Sequence, residues 1–282
     1  MPYEAEISRL NPGVFLFLID QSGSMDDPFG GAAGKKKSEG LADAVNRLLQ
    51  NLIIKCTKSD GVRDYFEVGV IAYGPGGTAK SAFIGALEGE FLVPISKIAD
   101  NPARIEERER TTEDGAGGLI KHPVKFPVWF DPVAENGTPM CYALEIAYQV
   151  LSSWTKTHVS SFPPVVINIT DGEATDGNPL EPARALQNLA TNDGQLLLFN
   201  CHISSTQAPS ILFPSTQEEL PRDEFASLLF AMSSILPPKM REAAVAEGFQ
   251  LGPQPRGFAF NADLVDLIRF LDIGTRPKGE LR

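Results

Sequence analysis

Cysteine and histidine are scarce in this sequence, with three of each among 282 residues. The cysteines, Cys56, Cys141 and Cys201, are odd in number and far apart, so they predict neither a disulfide framework nor a CxxC metal pair. The histidines form no HxxxH pattern and no pairing with cysteine, which leaves a zinc enzyme without a ligand set. Unpaired cysteines suit a reducing compartment, and we therefore expect a cytoplasmic protein.

Basic residues and long apolar runs are also few. Lysine and arginine total 25 against 36 aspartates and glutamates, which gives a net charge of −11, and the one basic run is Lys35–Lys37. This balance argues against nucleic acid and against an anionic membrane surface as partners. The apolar run Val14–Ile19 is far shorter than the roughly 20 residues of a membrane helix, and the acidic start of the chain does not match a signal peptide.

Strand and helix patterns alternate along most of the chain. Continuous apolar runs of strand length predict strands at 14–19, 67–73, 165–169, 195–200 and 257–260. Apolar residues spaced three and four apart predict helices that start near Leu41, Ala143, Pro182, Phe225 and Leu264. We expect the third of these helices to reach Ala190. Such alternation predicts an α/β fold with a doubly wound, mostly parallel sheet flanked by helices. We expect a single domain over residues 1–282, with its core at about 13–273.

One stretch, at about 91–135, does not follow this alternation. It contains five prolines and the charged run Ile105–Arg110, which suggests an insertion packed on the domain. Val128, Trp129 and Phe130 within it require burial, and we expect its polar middle, Arg110–Gly118, to be mobile.

Oxygen-bearing side chains follow two of the predicted strands. Asp20, Ser22 and Ser24 come directly after the first strand, and Asp171 follows the strand at 165–169. Thr138 precedes Pro139 at a predicted helix start, where it is also a candidate N-cap. Each residue alone is an ordinary turn or cap residue, but together they lie at one edge of one sheet. Carboxylates and hydroxyls that converge there suit Mg²⁺, with Mn²⁺ or Ca²⁺ as alternatives.

Three segments of the chain, 14–25, 137–140 and 169–172, resemble the von Willebrand factor type A domain and its metal-ion-dependent adhesion site. The resemblance implies that the hydroxyls of Ser22, Ser24 and Thr138 bind the metal directly, while Asp20 and Asp171 often act through water. It leaves a sixth position for an Asp or Glu of a partner. The residues that flank these ligands are candidates for partner contacts, namely Gln21, Met25, Gly137 and Glu173.

The resemblance implies a protein-binding adaptor and not an enzyme. The stretch Ile169–Gly177 looks like that of bacterial intracellular stand-alone members, including those linked with tellurium resistance. Such members suggest an AAA+ ATPase, or a protein kinase and phosphatase pair, as partners in a stress or conflict response. An alternative is a hydrolase or phosphoryl-transfer enzyme in which the metal polarises an oxygen and Glu173 or Asp176 is the general base. A third possibility is a metal that only ties three loops together.

Two other motifs do not support a function. The glycine-rich run at 30–38 lacks phosphate-loop spacing, because Phe29 stands five residues before Gly34 and Lys36 follows Lys35. A solvated loop is the better interpretation. Cys141 has no basic neighbour to activate it, so we expect a buried structural thiol.

Overall fold

The computed structural model describes residues 2–30, 34–113, 119–205 and 209–275. Within these ranges an eight-stranded sheet forms the centre. Its strands are β1 (Gly13–Asp20), β4 (Phe66–Tyr73), β5 (Ala79–Ser81), β6 (Val93–Pro94), β9 (Val165–Thr170), β12 (Leu197–Ile203), β13 (Ile211–Leu212) and β14 (Phe258–Ala262). Their order in the sheet is β13-β14-β12-β9-β1-β4, and β5 and β6 both pair with the outer edge of β4. The five central strands are parallel, while β5, β6 and β13 run antiparallel.

Helices cover both faces of this sheet. They are α1 (Lys37–Cys56), α2 (Ile95–Asp100), α3 (Met140–Thr157), α4 (Leu180–Gln187), α5 (Glu224–Met232), α6 (Pro238–Ala246) and α7 (Leu264–Gly274). Apolar residues of α1, α2, α6 and α7 form one core, and those of α3, α4 and α5 form the other. The predicted doubly wound, mostly parallel α/β fold is therefore confirmed.

The position of β1 at the centre of the sheet explains why its residues Val14–Ile19 are all apolar. Phe15, Phe17 and Ile19 point into the first core, and Leu16 and Leu18 into the second. All eight residues of β1 are buried. A strand buried on both faces cannot alternate polar with apolar residues, which is why it reads as a continuous apolar run.

In the described ranges, three hairpins stand outside the main sheet. They are β2 (Thr57–Lys58) with β3 (Gly61–Val62), β7 (Arg104–Glu113) with β8 (Leu119–Val128), and β10 (Ala190–Thr191) with β11 (Gly194–Gln195). The last hairpin changes two expectations from the sequence. The helix predicted to reach Ala190 ends at Gln187, and the strand predicted to start at Gln195 starts at Leu197.

The segment predicted as an insertion divides into two parts. Residues 93–100 belong to the domain, because β6 pairs with β4 and α2 packs into the first core. Residues 104–128 leave the sheet as the β7–β8 ribbon. Arg108 ties this ribbon to α1 through a 2.7 Å contact with Asp43, and Trp129 after it is buried and donates to Ile98 O at 2.7 Å. Of the middle that was expected to be mobile, residues 114–118 lie outside the described residues.

None of the helices in the described ranges combines the length and apolar character that a membrane span requires.

Candidate metal centre

The candidate ligands lie at the carboxyl edge of the sheet, beside its centre. Strand β4, which follows β1 in the main sheet, pairs with one edge of β1, and the later strand β9 pairs with the other edge. Ile19 of β1 is in register with Ile169 of β9, so both strands end together, with Asp20 and Asp171 at or just beyond their ends. Ligand sites of open α/β sheets occur at such a reversal of strand order.

Two polar contacts hold the Asp20 carboxylate. Its Oδ1 accepts a hydrogen bond from Ser22 N at 2.8 Å, and its Oδ2 accepts one from Thr170 Oγ1 at 2.7 Å. Burial raises the pKa of Asp20 to about 6, although these hydrogen bonds favour the charged form. A cation next to this carboxylate would offset the cost of its burial.

A series of close oxygen contacts joins the first loop to the second. Ser22 Oγ lies 3.1 Å from Ser24 Oγ, and Ser24 Oγ donates to Asp171 Oδ1 at 2.7 Å. Ser22 directly precedes a short 3-10 turn, Gly23–Asp26, and Ser24 lies within it. Four of the five candidate ligands are therefore brought together by β1, β9 and this turn.

Hydrogen bonds of the backbone hold the loop that carries Thr138, the fifth candidate, against the serine loop. Gly23 N donates to Asn136 O at 2.9 Å, which joins the Thr138 loop to the serine loop. The Thr138 backbone N–H donates to Thr175 Oγ1 at 2.9 Å, and Thr175 N donates back to Thr138 O at 2.9 Å. Gly137 permits this close approach, since a Cβ there would lie 2.8 Å from Thr175 Oγ1.

The expected cap role of Thr138 is wrong. Helix α3 begins at Met140, and the carboxylate that caps it belongs to Asp176, which accepts from Cys141 N at 3.1 Å and Tyr142 N at 2.9 Å. An acidic side chain is favoured there by the unpaired N–H groups and the dipole at the helix start. Because Asp176 satisfies these donors, the Thr138 hydroxyl is not required as a cap.

Lys37 is a member of the site that the sequence analysis missed. Its Nζ lies 2.7 Å from Asp171 Oδ2, 3.3 Å from Ser24 O and 3.5 Å from Asp27 Oδ2. The Lys37 side chain is only 5% exposed and that of Asp171 is fully buried. The sequence predicts a solvated loop for the lysine run. Lys36 agrees with this prediction, because its pair with Asp26 is on the surface, but Lys37 does not. Residues 31–33 of that loop lie outside the described residues.

The candidate partner contacts differ in exposure. Met25 is fully buried in the first core and offers no surface to a partner. Gln21 is also buried, and its side chain donates to Asp131 O at 3.4 Å. Glu173 is exposed, and Gly137 is partly exposed. Of the four, Gly137 and Glu173 thus remain accessible beside Ser24, which is itself exposed.

His202 and Cys141 lie close to the site without taking part in its oxygen cluster. His202 is in register with Thr170, and its Nδ1 accepts from Asn261 N at 3.2 Å. Burial lowers the pKa of His202 to about 4, so this imidazole is neutral at physiological pH. Burial and the nearby Asp176 raise the pKa of the Cys141 thiol to about 12, as expected for an unreactive structural cysteine.

The chemistry of the cluster suits a hard cation. Among the described residues, no group of three or more His, Cys, Asp or Glu side chains is arranged as a metal site. The oxygen cluster instead combines the hydroxyls of Ser22 and Ser24 with the carboxylates of Asp20 and Asp171, and the loop that carries Thr138 is hydrogen-bonded to the serine loop beside it. Neighbouring ligands of an octahedral Mg²⁺ with bonds of about 2.05 Å are about 2.9 Å apart. The 3.1 Å between Ser22 Oγ and Ser24 Oγ is close to this value.

The chain matches no protein-family profile and no curated protein. It is similar to solved structures that include the von Willebrand factor domain of the type V pili tip protein Mfa5 from Porphyromonas gingivalis, at 14% identity over 58% of this chain and 38% of that chain, with a TM-score of 0.32. Another is the ArnB paralog VWA2 from Sulfolobus acidocaldarius, at 16% identity over 70% of this chain and 36% of that chain, with a TM-score of 0.33.

The PilB minor pilin from Streptococcus sanguinis is similar at 13% identity over 57% of this chain and 30% of that chain, with a TM-score of 0.32. The chain therefore spans about a third of the length of each of these three structures. Identities and superpositions at this level concern the general fold alone. What the site can do must be argued from its own residues.

Proposed function

We propose that this chain is a Mg²⁺-dependent protein-interaction module of the von Willebrand factor type A kind, which binds an acidic residue of a partner protein. The observation that carries the proposal is the continuous oxygen cluster from Ser22 through Ser24 to Asp171 at the reversal of strand order. Ser22, Ser24 and Thr138 would hold the metal through their hydroxyls, and Asp20 and Asp171 would hold its water ligands. When bound, the metal would supply an electrophilic centre for a carboxylate.

The charges of the site support a role for a carboxylate ligand. Asp20, Asp27 and Asp171 contribute three negative charges and Lys37 one positive charge, so these groups leave two net negative charges. A divalent cation would cancel them, while the chain as a whole carries −11. An acidic partner would therefore be repelled by most of the surface but not at this point, where its carboxylate would bind the metal.

The shape of the site supports a macromolecular partner more than a small substrate. Ser24 and Glu173 are exposed, as expected for a surface site. The 290 Å³ cavity beside Gln21 is lined by none of the five candidate ligands. Small substrates usually bind in cavities that bury most of their surface. For the enzymatic alternative, Asp176 is a poor general base, because both of its oxygens accept backbone hydrogen bonds.

The first experiment measures metal binding by calorimetry. Ser24→Ala and Thr138→Ala should weaken Mg²⁺ binding at least about tenfold, since each removes a direct ligand. The matched control is Thr155→Ala, which removes a threonine hydroxyl of equal burial that bonds Leu151 O within α3. In the parent, Mg²⁺ at 100 times Kd should add about 2.7 kcal/mol to the free energy of unfolding, or about 5 °C in Tm. Equal Mg²⁺ affinity in all four proteins would show the site to be misassigned.

The second experiment tests what the metal is for. Peptides selected from a random library in MgCl2 and counter-selected in EDTA should share an Asp or Glu, and its replacement by Asn or Gln should abolish binding. Ser24→Ala should abolish it as well. Metal binding without any metal-dependent capture would favour a metal that only ties the loops together. The opposite outcome is metal-dependent hydrolysis of phosphoester or ester substrates by the parent. If that activity disappears in Asp171→Ala and Glu173→Gln, the protein is an enzyme and the adaptor proposal is refuted.

The resemblance of the motifs supports a narrower proposal for the natural partner. An AAA+ ATPase, or a kinase and phosphatase pair in a bacterial stress response, would fit if it presents an acidic residue on a surface loop. Such a partner should bind the parent in MgCl2 and be released by EDTA.

A further inference from the structure

A cavity of about 660 Å³ opens at the opposite edge of the sheet from the metal centre. Leu196 and Leu197 in its wall stand at the amino end of β12, and Arg256 precedes the start of β14. Both strands run parallel to β9, whose carboxyl end carries Asp171. The cavity is thus separate from the oxygen cluster, and its volume is in the usual range for small-molecule sites, about 300–1,000 Å³.

The charged residues that line this cavity are mainly arginines. They are Arg184, Arg241 and Arg256, against a single carboxylate, Glu4. Arg184 is exposed and paired with Glu181 at 2.9 Å, so the other two arginines are the candidates for binding a ligand. Together with Glu4 they leave a local total of +1 in a chain whose net charge is −11.

Arg241 and Arg256 are held in place by backbone carbonyls. Arg241 donates to Leu236 O at 2.8 Å and to Pro253 O at 3.2 Å, and Arg256 donates to Ser233 O at 2.6 Å. Within the described part of the chain, neither guanidinium forms an ion pair with a carboxylate. Hydrogen bonds to carbonyls orient a guanidinium without neutralising it, and each group keeps further N–H donors.

Arg256 is the more unusual of the two. Its guanidinium carbon lies 4.8 Å from the centre of the Phe230 ring. Burial holds the pKa of Arg256 below its ordinary value. A partly buried cation without a counter-ion is costly, and an arriving anion would offset that cost.

Of the other fourteen residues that line the cavity, nine are apolar or aromatic and five are polar, namely Gln187, Asn188, Gln195, Ser233 and Ser234. Leu196, Leu236 and Pro237 line it together with the Tyr3 ring. A ligand that fills this volume would therefore combine an anionic group with an apolar body. A free inorganic ion would use only the arginines.

We propose that this cavity binds a small organic anion, a carboxylate or phosphate monoester on an apolar or aromatic body, whose charged group pairs with Arg256 and Arg241. The site is independent of the metal centre. Arginine is suited to both anions because its planar N–H groups match two oxygens of a carboxylate or phosphate.

Calorimetric titration of the full chain with phenyl phosphate and with benzoate, in a chelator-free buffer depleted of divalent cations, tests the proposal. We expect binding at one site by at least one of the two, weakened by salt, with weaker binding of inorganic phosphate and none of benzyl alcohol. Arg256→Gln and Arg241→Gln should each weaken binding at least about tenfold, since a charge-assisted pair is lost. Arg256→Lys keeps the charge and should bind with intermediate affinity.

The matched control is Arg269→Gln. Arg269 also stacks on an aromatic ring, with its guanidinium carbon 4.3 Å from the centre of Phe249, and also donates to a carbonyl, Glu247 O at 3.0 Å, but it does not line the cavity. Its replacement should leave binding unchanged. Circular dichroism identifies any variant that fails to fold, and Arg241→Gln then carries the test if Arg256→Gln fails. No binding of either organic anion by the parent, or unchanged binding in the folded arginine variants, would overturn the proposal.

Discussion

Replacing Lys37 with methionine tests whether a resident ammonium competes with a metal at Asp171. Lys37 Nζ lies 2.7 Å from Asp171 Oδ2, with the lysine side chain 5% exposed and the carboxylate fully buried. Methionine keeps most of the apolar stem and removes the charge. Removing one partner of a buried ion pair typically costs about 3–5 kcal/mol, because the other charge is left uncompensated. In EDTA we expect Lys37→Met to lose stability on this scale.

In Mg²⁺ the loss should be smaller. A divalent cation next to Asp171 would supply the positive charge that the variant lacks. The difference between the losses in EDTA and in Mg²⁺ equals the gain in Mg²⁺ binding free energy, because the two measurements close a thermodynamic cycle. A difference of about 1.4 kcal/mol corresponds to tenfold tighter binding. We therefore expect Lys37→Met to be the less stable protein without metal and to bind Mg²⁺ at least about tenfold more tightly.

The assay combines urea unfolding in EDTA and in saturating MgCl2, at constant ionic strength, with calorimetric titration of Mg²⁺. Lys36→Met is the matched control, since it lies one residue earlier, changes net charge equally and breaks a surface pair with Asp26. Its Mg²⁺ affinity should match that of the parent. Equal destabilisation of Lys37→Met in both buffers, with unchanged or weaker Mg²⁺ binding, would refute the competition between ammonium and metal.

Two further predictions concern the loops around the site. Gly137→Ala should weaken Mg²⁺ binding by at least about tenfold, or about 1.4 kcal/mol. The new Cβ would lie 2.8 Å from Thr175 Oγ1 and displace the Thr138 loop. Calorimetry should find no such loss in Gly172→Ala, where a Cβ meets nothing within 4 Å. Asp176→Ala should lower the free energy of urea unfolding by about 1 kcal/mol through loss of the α3 cap, and an unchanged midpoint would contradict that role.

Much of the framework could be predicted from local sequence pattern. The apolar run at 14–19 predicted a strand buried on both faces, and β1 is buried on both faces. The change from strand runs to helical spacing predicted the doubly wound sheet, because parallel neighbours require helical crossovers. Asp20 and Asp171 could be placed at one edge, since the ends of parallel strands meet there. The short helix α6 and the two-residue strands of the β2–β3 and β10–β11 hairpins carried too few periodic residues to be recognised.

The sequence by itself determined which oxygen-bearing residues stand at strand ends, because apolar periodicity is a property of neighbouring residues. Only the tertiary structure decided which side chains meet across long separations. The ammonium of Lys37, and not that of Lys36, reaches Asp171, 134 residues away. Asp176, and not Thr138, caps α3. Arg241 and Arg256 line one cavity because separate segments pack at the amino edge of the sheet. Such contacts depend on packing of the whole chain, which no local spacing encodes.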